Sequence, residues 1–115
     1  MNRGIIFFTL VAIVLAGCGK NEEEKAITLV KSDVSNHFKD PSSTMFRNVV
    51  SVDRGNSQWA VCGEVNAKNG FGGYAGYIQF YGETQIYEST MVAMSSIPRS
   101  PEEDAMWAYR EKNCK

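Results

Sequence analysis

Three cysteines carry the most distinctive chemistry in this chain: Cys18, Cys62 and Cys114. Cys18 directly follows Leu15-Ala16-Gly17, where two small residues let a peptidase close around the backbone next to an alkylatable thiol. Cys62 and Cys114 are too far apart in sequence to be a metal-ligand pair, and the single histidine, His37, offers no motif-level partner for a thiol or serine nucleophile. His37 adjoins Phe38 on an apolar stripe and reads as a structural or surface residue. Glu64 and Glu83 would serve as acid and base only if the fold brought them together. Arg47 can bind a carboxylate or phosphate, or pair with Asp40 or Glu64. Met91, Met94 and Met106 read as core filling. Gly70-Phe71-Gly72-Gly73 lacks the strand-to-helix setting and the Gly-Lys-Ser/Thr ending of a phosphate loop. The sequence assigns no catalytic residue, no metal ligand and no cofactor.

The segment that delivers Cys18 has a recognisable design. Asn2 and Arg3 precede an uncharged run over residues 5–15, which is short of the roughly 20 residues a spanning helix needs and fits the apolar region of a signal peptide. An ordinary secretory signal with a chance cysteine, or a short anchor helix, is the plainer alternative. Leu15-Ala16-Gly17-Cys18 resembles the lipobox of bacterial lipoproteins. The resemblance implies cleavage before Cys18, a diacylglyceryl thioether on its sulfur and an amide-linked third chain. More than one acyl chain gives stable anchoring, at about 0.8 kcal/mol per buried methylene. Gly19, in place of an aspartate, resembles an outer-membrane address facing the periplasm rather than an inner-membrane retention signal. This divides the chain into a signal peptide (1–17), a lipidated tether (18–25) and one domain (26–115). The tether is Gly-Lys-Asn-Glu-Glu-Glu-Lys after Cys18, which could equally form the frayed first turn of the next helix.

Charge and compartment narrow the partners. The 115 residues hold 12 bases and 13 acids, and no basic patch supports nucleic-acid binding. With Cys18 lipidated, an oxidising compartment would leave Cys62 and Cys114 to form a disulfide; a metal site and a reactive thiol are the rival readings.

The elements that must position these residues follow from periodicity. Ile27, Val30, Val34 and Phe38 recur at helical spacing, predicting a helix over 23–39 that Asp40-Pro41 stops. Asp40 and Pro41 suit the start of a short second helix completed by Thr44-Met45-Phe46-Arg47. Strands are expected around Val50 and Val52, over 59–66, over 74–81 and over 85–92, with turns at 54–57, 67–70 and 82–83. Ser100, Pro101 and Glu103 form the start of a C-terminal helix whose Ala105, Met106, Trp107 and Tyr109 can face the sheet. The expected fold is α+β: a small antiparallel sheet of three to four strands with N-terminal and C-terminal helices packed on it. One conflict remains in that picture. A Cys62–Cys114 staple puts Cys62 on the helix side, whereas Trp59, Val61 and Val65 on the opposite parity also want the core, unless both sheet faces are partly covered.

Asp40-Pro41-Ser42-Ser43-Thr44-Met45-Phe46-Arg47, followed by Val61-Cys62-Gly63-Glu64-Val65-Asn66-Ala67-Lys68-Asn69-Gly70-Phe71-Gly72-Gly73-Tyr74, resembles a family of small exported proteins of Gram-negative bacteria and their prophages. The resemblance covers roughly residues 40–80 and brings no assigned activity. It suggests a prophage-type role such as superinfection exclusion, or inhibition of a toxic or lytic enzyme. Read physically, the second block offers a binding surface: Tyr74 and Tyr77 as flat contacts, Glu64, Asn66, Asn69 and Arg47 as polar ones. The alternative is a glycine-rich hairpin that is only scaffold. Two function classes follow. The first is a non-enzymatic lipoprotein, bound to the membrane through Cys18, that engages an envelope protein or the cell wall. The second is a small hydrolase acting on wall or lipid.

Overall fold

The computed structural model describes residues 18–97 and Cys114. Helix α1 (Cys18–Ser35) leads through a 3-10 turn (Pro41–Ser43) into four strands: β1 (Met45–Gly55), β2 (Gln58–Asn66), β3 (Ile78–Tyr87) and β4 (Thr90–Ser96). The strands form one antiparallel sheet in the order β1-β2-β3-β4, and α1 packs on one of its faces. This is the expected α+β fold with one helix on the sheet. The helix expected from Ser100 onward lies outside the described residues.

Helix α1 forms because Ala26, Val30 and Val34 bury one stripe completely, while Ile27 and Phe38 pack at its margin. The stripe meets Val61, Val65 and Phe80 of the sheet, with Phe46, Val49 and Ala93 closing the cluster. Phe46 meets Phe80 edge-on with ring centroids 5.5 Å apart, a favourable aromatic geometry. Two sheet positions without side chains make room in this core, Gly82 for the helix and Gly63 for the Phe80 ring. A Cβ at Gly82 would lie 2.3 Å from Val30 Cγ1, and one at Gly63 would lie 3.0 Å from the Phe80 ring. Polar contacts fix the direction of α1. Glu22 accepts from Ser57 Oγ and Glu23 from Ser51 Oγ at its start, and Asp33 Oδ2 accepts from the Ser95 N–H and hydroxyl near its end. The stretch 18–25 is thus helical, and Glu22 and Glu23 dock on the sheet.

Several boundaries differ from expectation. Asp40 sits at the start of the 3-10 turn but its side chain does not cap it, accepting from Ser42 Oγ instead. Thr44 is already extended and residues 45–47 belong to β1, not to a helical turn. Residues 74–77 are loop, and β3 runs straight through Gly82-Glu83, where a turn was expected. The turn comes later, at Glu88-Ser89, between the paired residues Tyr87 and Thr90. Both turn residues take positive φ, 47° and 67°, as do Asn56 and Ser57 (53° and 58°) between Gly55 and Gln58. Two-residue connections of this mirror-image type match the twist of the strands they join.

The second sheet face has its own core. Ala60, Tyr81 and Cys114 are buried together, with Val52 and Cys62 against them. Cys62 and Cys114 form a disulfide with Cα atoms 6.2 Å apart. By strand parity Ala60 and Cys62 face away from α1, while Val61 and Val65 face it. The second face is covered in part, which is enough to remove the conflict: the staple lies opposite α1, and Trp59, Val61 and Val65 keep the helix side.

Candidate functional site

The residues singled out from the sequence fall into two neighbouring groups at the end of the sheet where α1 finishes. The first is built by a bulge in β1. Asn48 and Val49 together oppose Gly63, and Asn48 takes a positive φ of 52°. The extra residue turns Asn48 toward β2 beside Arg47. Glu64 Oε2 accepts from Arg47 Nε (3.0 Å) and Nη2 (2.7 Å), and Glu64 Oε1 accepts from Asn48 Nδ2 at 2.9 Å. These bonds from Asn48 first, and Arg47 second, hold the Glu64 carboxyl below its ordinary pKa. The Arg47 guanidinium also lies 3.7 Å from the centroid of the Tyr77 ring, a stacked cation–π contact. Arg47, Glu64 and Tyr77 are therefore engaged with one another.

The second group is the loop 67–77. Its spine is a bridge between Lys68 and Tyr74, and its tip is a turn in which the Gly72 N–H donates to Asn69 O at 3.0 Å. Asn69 Oδ1 accepts from the Phe71 N–H (2.9 Å) and the Gly73 N–H (3.2 Å), and Asn66 Oδ1 accepts from the Gly76 N–H at 3.0 Å. Both amides thus spend their carbonyl oxygens on the loop's own backbone, a common use of asparagine in turns. The loop is tied to the 3-10 turn at Ser43, which accepts from the Tyr74 hydroxyl at its carbonyl (3.0 Å) and from the Lys68 N–H at its hydroxyl (2.9 Å). Tyr74 remains 44% exposed and Phe71 is fully exposed.

Phe71 is the residue that sequence reading passed over. Its flanking glycines drew attention to backbone conformation, and the signal that could have found it was simple: a large apolar residue inside a turn, with no position for it in any core periodicity.

Sequence reading also missed a polar cluster on the other side of the sheet. Ser95 Oγ lies 2.6 Å from Asp33 Oδ2 and 3.3 Å from His37 Nε2, bringing serine, histidine and aspartate together. The order is not that of a proton relay, in which the carboxylate orients the imidazole. Here Asp33 Oδ2 takes the serine hydroxyl and the Ser95 N–H, and His37 Nε2 is 4.0 Å from it. Glu83 is held by the Tyr81 hydroxyl, away from the carboxylate of Glu64. Among the described residues no cluster of His, Cys, Asp or Glu is arranged to hold a metal ion, and no helix is long and apolar enough to cross a membrane. No family model, no curated protein and no solved structure matches the chain.

Proposed function

We propose that this chain is a non-enzymatic envelope lipoprotein, held to the membrane through lipid on Cys18, that binds a protein or cell-wall partner with the end of the sheet bearing residues 66–77. The observation that carries this reading is the fully exposed Phe71 on a loop braced by its own amides and by Ser43. Exposed aromatic side chains on a braced backbone give large contact area at small entropic cost, and such anchors dominate many interfaces. The N-terminal residues support the anchoring half of the reading: an uncharged run, then Leu15-Ala16-Gly17-Cys18. The outer membrane, with the domain in the periplasm, is the favoured site on the strength of Gly19. Exclusion or inhibition of a lytic enzyme is the specialisation that fits the prophage resemblance. The same proposal includes a C-terminal helix beginning near Ser100 and returning to Cys114 on the second sheet face.

Two measurements test it. Cys18→Ser should leave the precursor unprocessed and release the protein from the membrane fraction; unchanged mobility and membrane association would refute the anchor. Crosslinking in intact cells should then recover a partner through Phe71 or Tyr74. The hydrolase alternative needs a nucleophile that the order of Ser95, His37 and Asp33 does not activate, and a measured wall- or lipid-cleaving activity that is lost in Ser95→Ala would favour it.

A further inference from the structure

The binding end of the molecule has a shape and a charge that narrow its partner, on the reading that residues 66–77 are the binding surface. Phe71 stands at a corner of the 69–72 turn, and its own N–H is tied back to Asn69 Oδ1. A ring presented on a braced corner is a protrusion, suited to entering a cavity rather than lining one. The backbone that carries it is already ordered, so docking has to order only the ring's own two side-chain torsions. The amides that could read sugar hydroxyls, Asn66 and Asn69, have their carbonyl oxygens turned onto loop backbone instead.

Two ammonium groups belong to the same end of the domain, one beside Gly70 and one over the Tyr74 ring. Lys39 Nζ is 3.6 Å from where a Cβ at Gly70 would stand, and Lys68 Nζ is 5.9 Å from the Tyr74 ring centroid. Residues 66–77 contain no acid, and the adjoining stretch 39–44 contains only Asp40. The loop also lies at the opposite end of the domain from Cys18. The start of α1 is bonded to Ser57 and Ser51 beside the β1–β2 turn, whereas Ser35 at its end meets Thr44 and the loop is tied to Ser43. Eighteen helical residues at about 1.5 Å each separate the two ends by roughly 27 Å. A protein held at Cys18 therefore presents Phe71 away from its own membrane.

We infer that the loop is a plug. Phe71 enters an apolar cavity in a periplasmic protein, and carboxylates around the mouth of that cavity meet Lys39 and Lys68.

The test replaces Phe71 by the photocrosslinker p-benzoylphenylalanine in the full chain, in living cells, with Val92 on the second sheet face replaced in a parallel strain. The plug predicts a discrete adduct from position 71 whose mapped peptide lies in an apolar cavity bordered by Asp or Glu. It further predicts that Lys39→Glu with Lys68→Glu lowers the yield of that adduct at least about tenfold, since rim charges steer encounter. A position-71 adduct insensitive to charge reversal overturns the acidic rim. Adducts from position 71 only to lipid or to sacculi overturn the protein cavity. An adduct from position 92 with none from 71 overturns the plug and leaves the binding reading standing. Adducts from neither position, nor from a third probe at Tyr74, sink both.

Discussion

Gly82 shows how a single missing side chain governs the packing of this domain. Val30 occupies the space where its Cβ would be, so Gly82→Ala must push α1 off the sheet. We expect about 1–3 kcal/mol of destabilisation, the usual range for overpacking, read as a lower midpoint in urea. Thr84 is a second such residue: its buried hydroxyl accepts from the Trp59 N–H at 3.0 Å. Thr84→Val keeps the shape, leaves that donor unsatisfied and should cost about 1–3 kcal/mol. Glu64 should reveal itself through pH. Its folded pKa is depressed, so its contribution is present above the ordinary carboxylate value of 4.5 and is lost as pH falls through the lower folded value. Thermal melts below pH 4.5 should therefore fall less steeply for Glu64→Gln than for the parent. Tyr81 works in the other direction. Burial first, and Glu83 second, raise its pKa above 10.0, so its contribution is present below that value and fades in strong alkali. Arg47 and Glu64 were each legible in the sequence as site residues, and their pairing was one of several open alternatives, beside Asp40 or a bound carboxylate or phosphate. Asn48 was not named, because a β-bulge brings it there, and Tyr77 was legible as a contact residue but not as the ring against Arg47, because neither a bulge nor a loop leaves a periodic trace.

At the scale of elements, α1 and β2 were readable because each obeys one period with few interruptions. β3 was not. Its first half was expected within the glycine-rich block and its end was placed at Gly82-Glu83, because glycine in a sequence signals a turn as readily as a close approach. Here Gly82 makes room for Val30 and the strand continues. The true turn, Glu88-Ser89, carries no asparagine or glycine, so no turn chemistry announced it. Two ordinary L-residues at φ values of 47° and 67° are held there by the pairing on either side. Replacing Glu88-Ser89 with Asn-Gly should relieve that strain and stabilise the domain by roughly 1 kcal/mol, visible as a higher melting temperature. Asp33 belongs at this scale too. Its carboxylate occupies the Ser95 N–H of the edge strand β4, a hydrogen-bonding group that would otherwise offer itself to another chain. Asp33→Ala should lower stability by about 1 kcal/mol and increase concentration-dependent association in light scattering.

For the whole molecule, the disulfide resolves what the sequence left in conflict. It closes a loop of 52 residues on the face away from α1, so one sheet supports two cores. By the chain-entropy estimate the closure contributes roughly 4 kcal/mol. Reduction should lower the melting temperature, and Cys62→Ala should match the Cys62→Ala/Cys114→Ala double variant, since either change opens the same loop. Two titratable thiols in freshly isolated protein would contradict the pairing. The arrangement of ends has a mechanical consequence as well. Pull between Cys18 and Phe71 and the load runs along the strands, from the β1–β2 turn beside the start of α1 to the loop beyond the far end of β2. Interstrand hydrogen bonds lie across that axis, so they are sheared together instead of being unzipped one by one. The load crosses from helix to sheet through Val30, Val34 and the bonds from Glu22, Glu23 and Asp33, which are spread along the length of α1. In a single-molecule experiment this axis should be the stiff one, yielding at higher force than a pull applied across the sheet between β1 and β4.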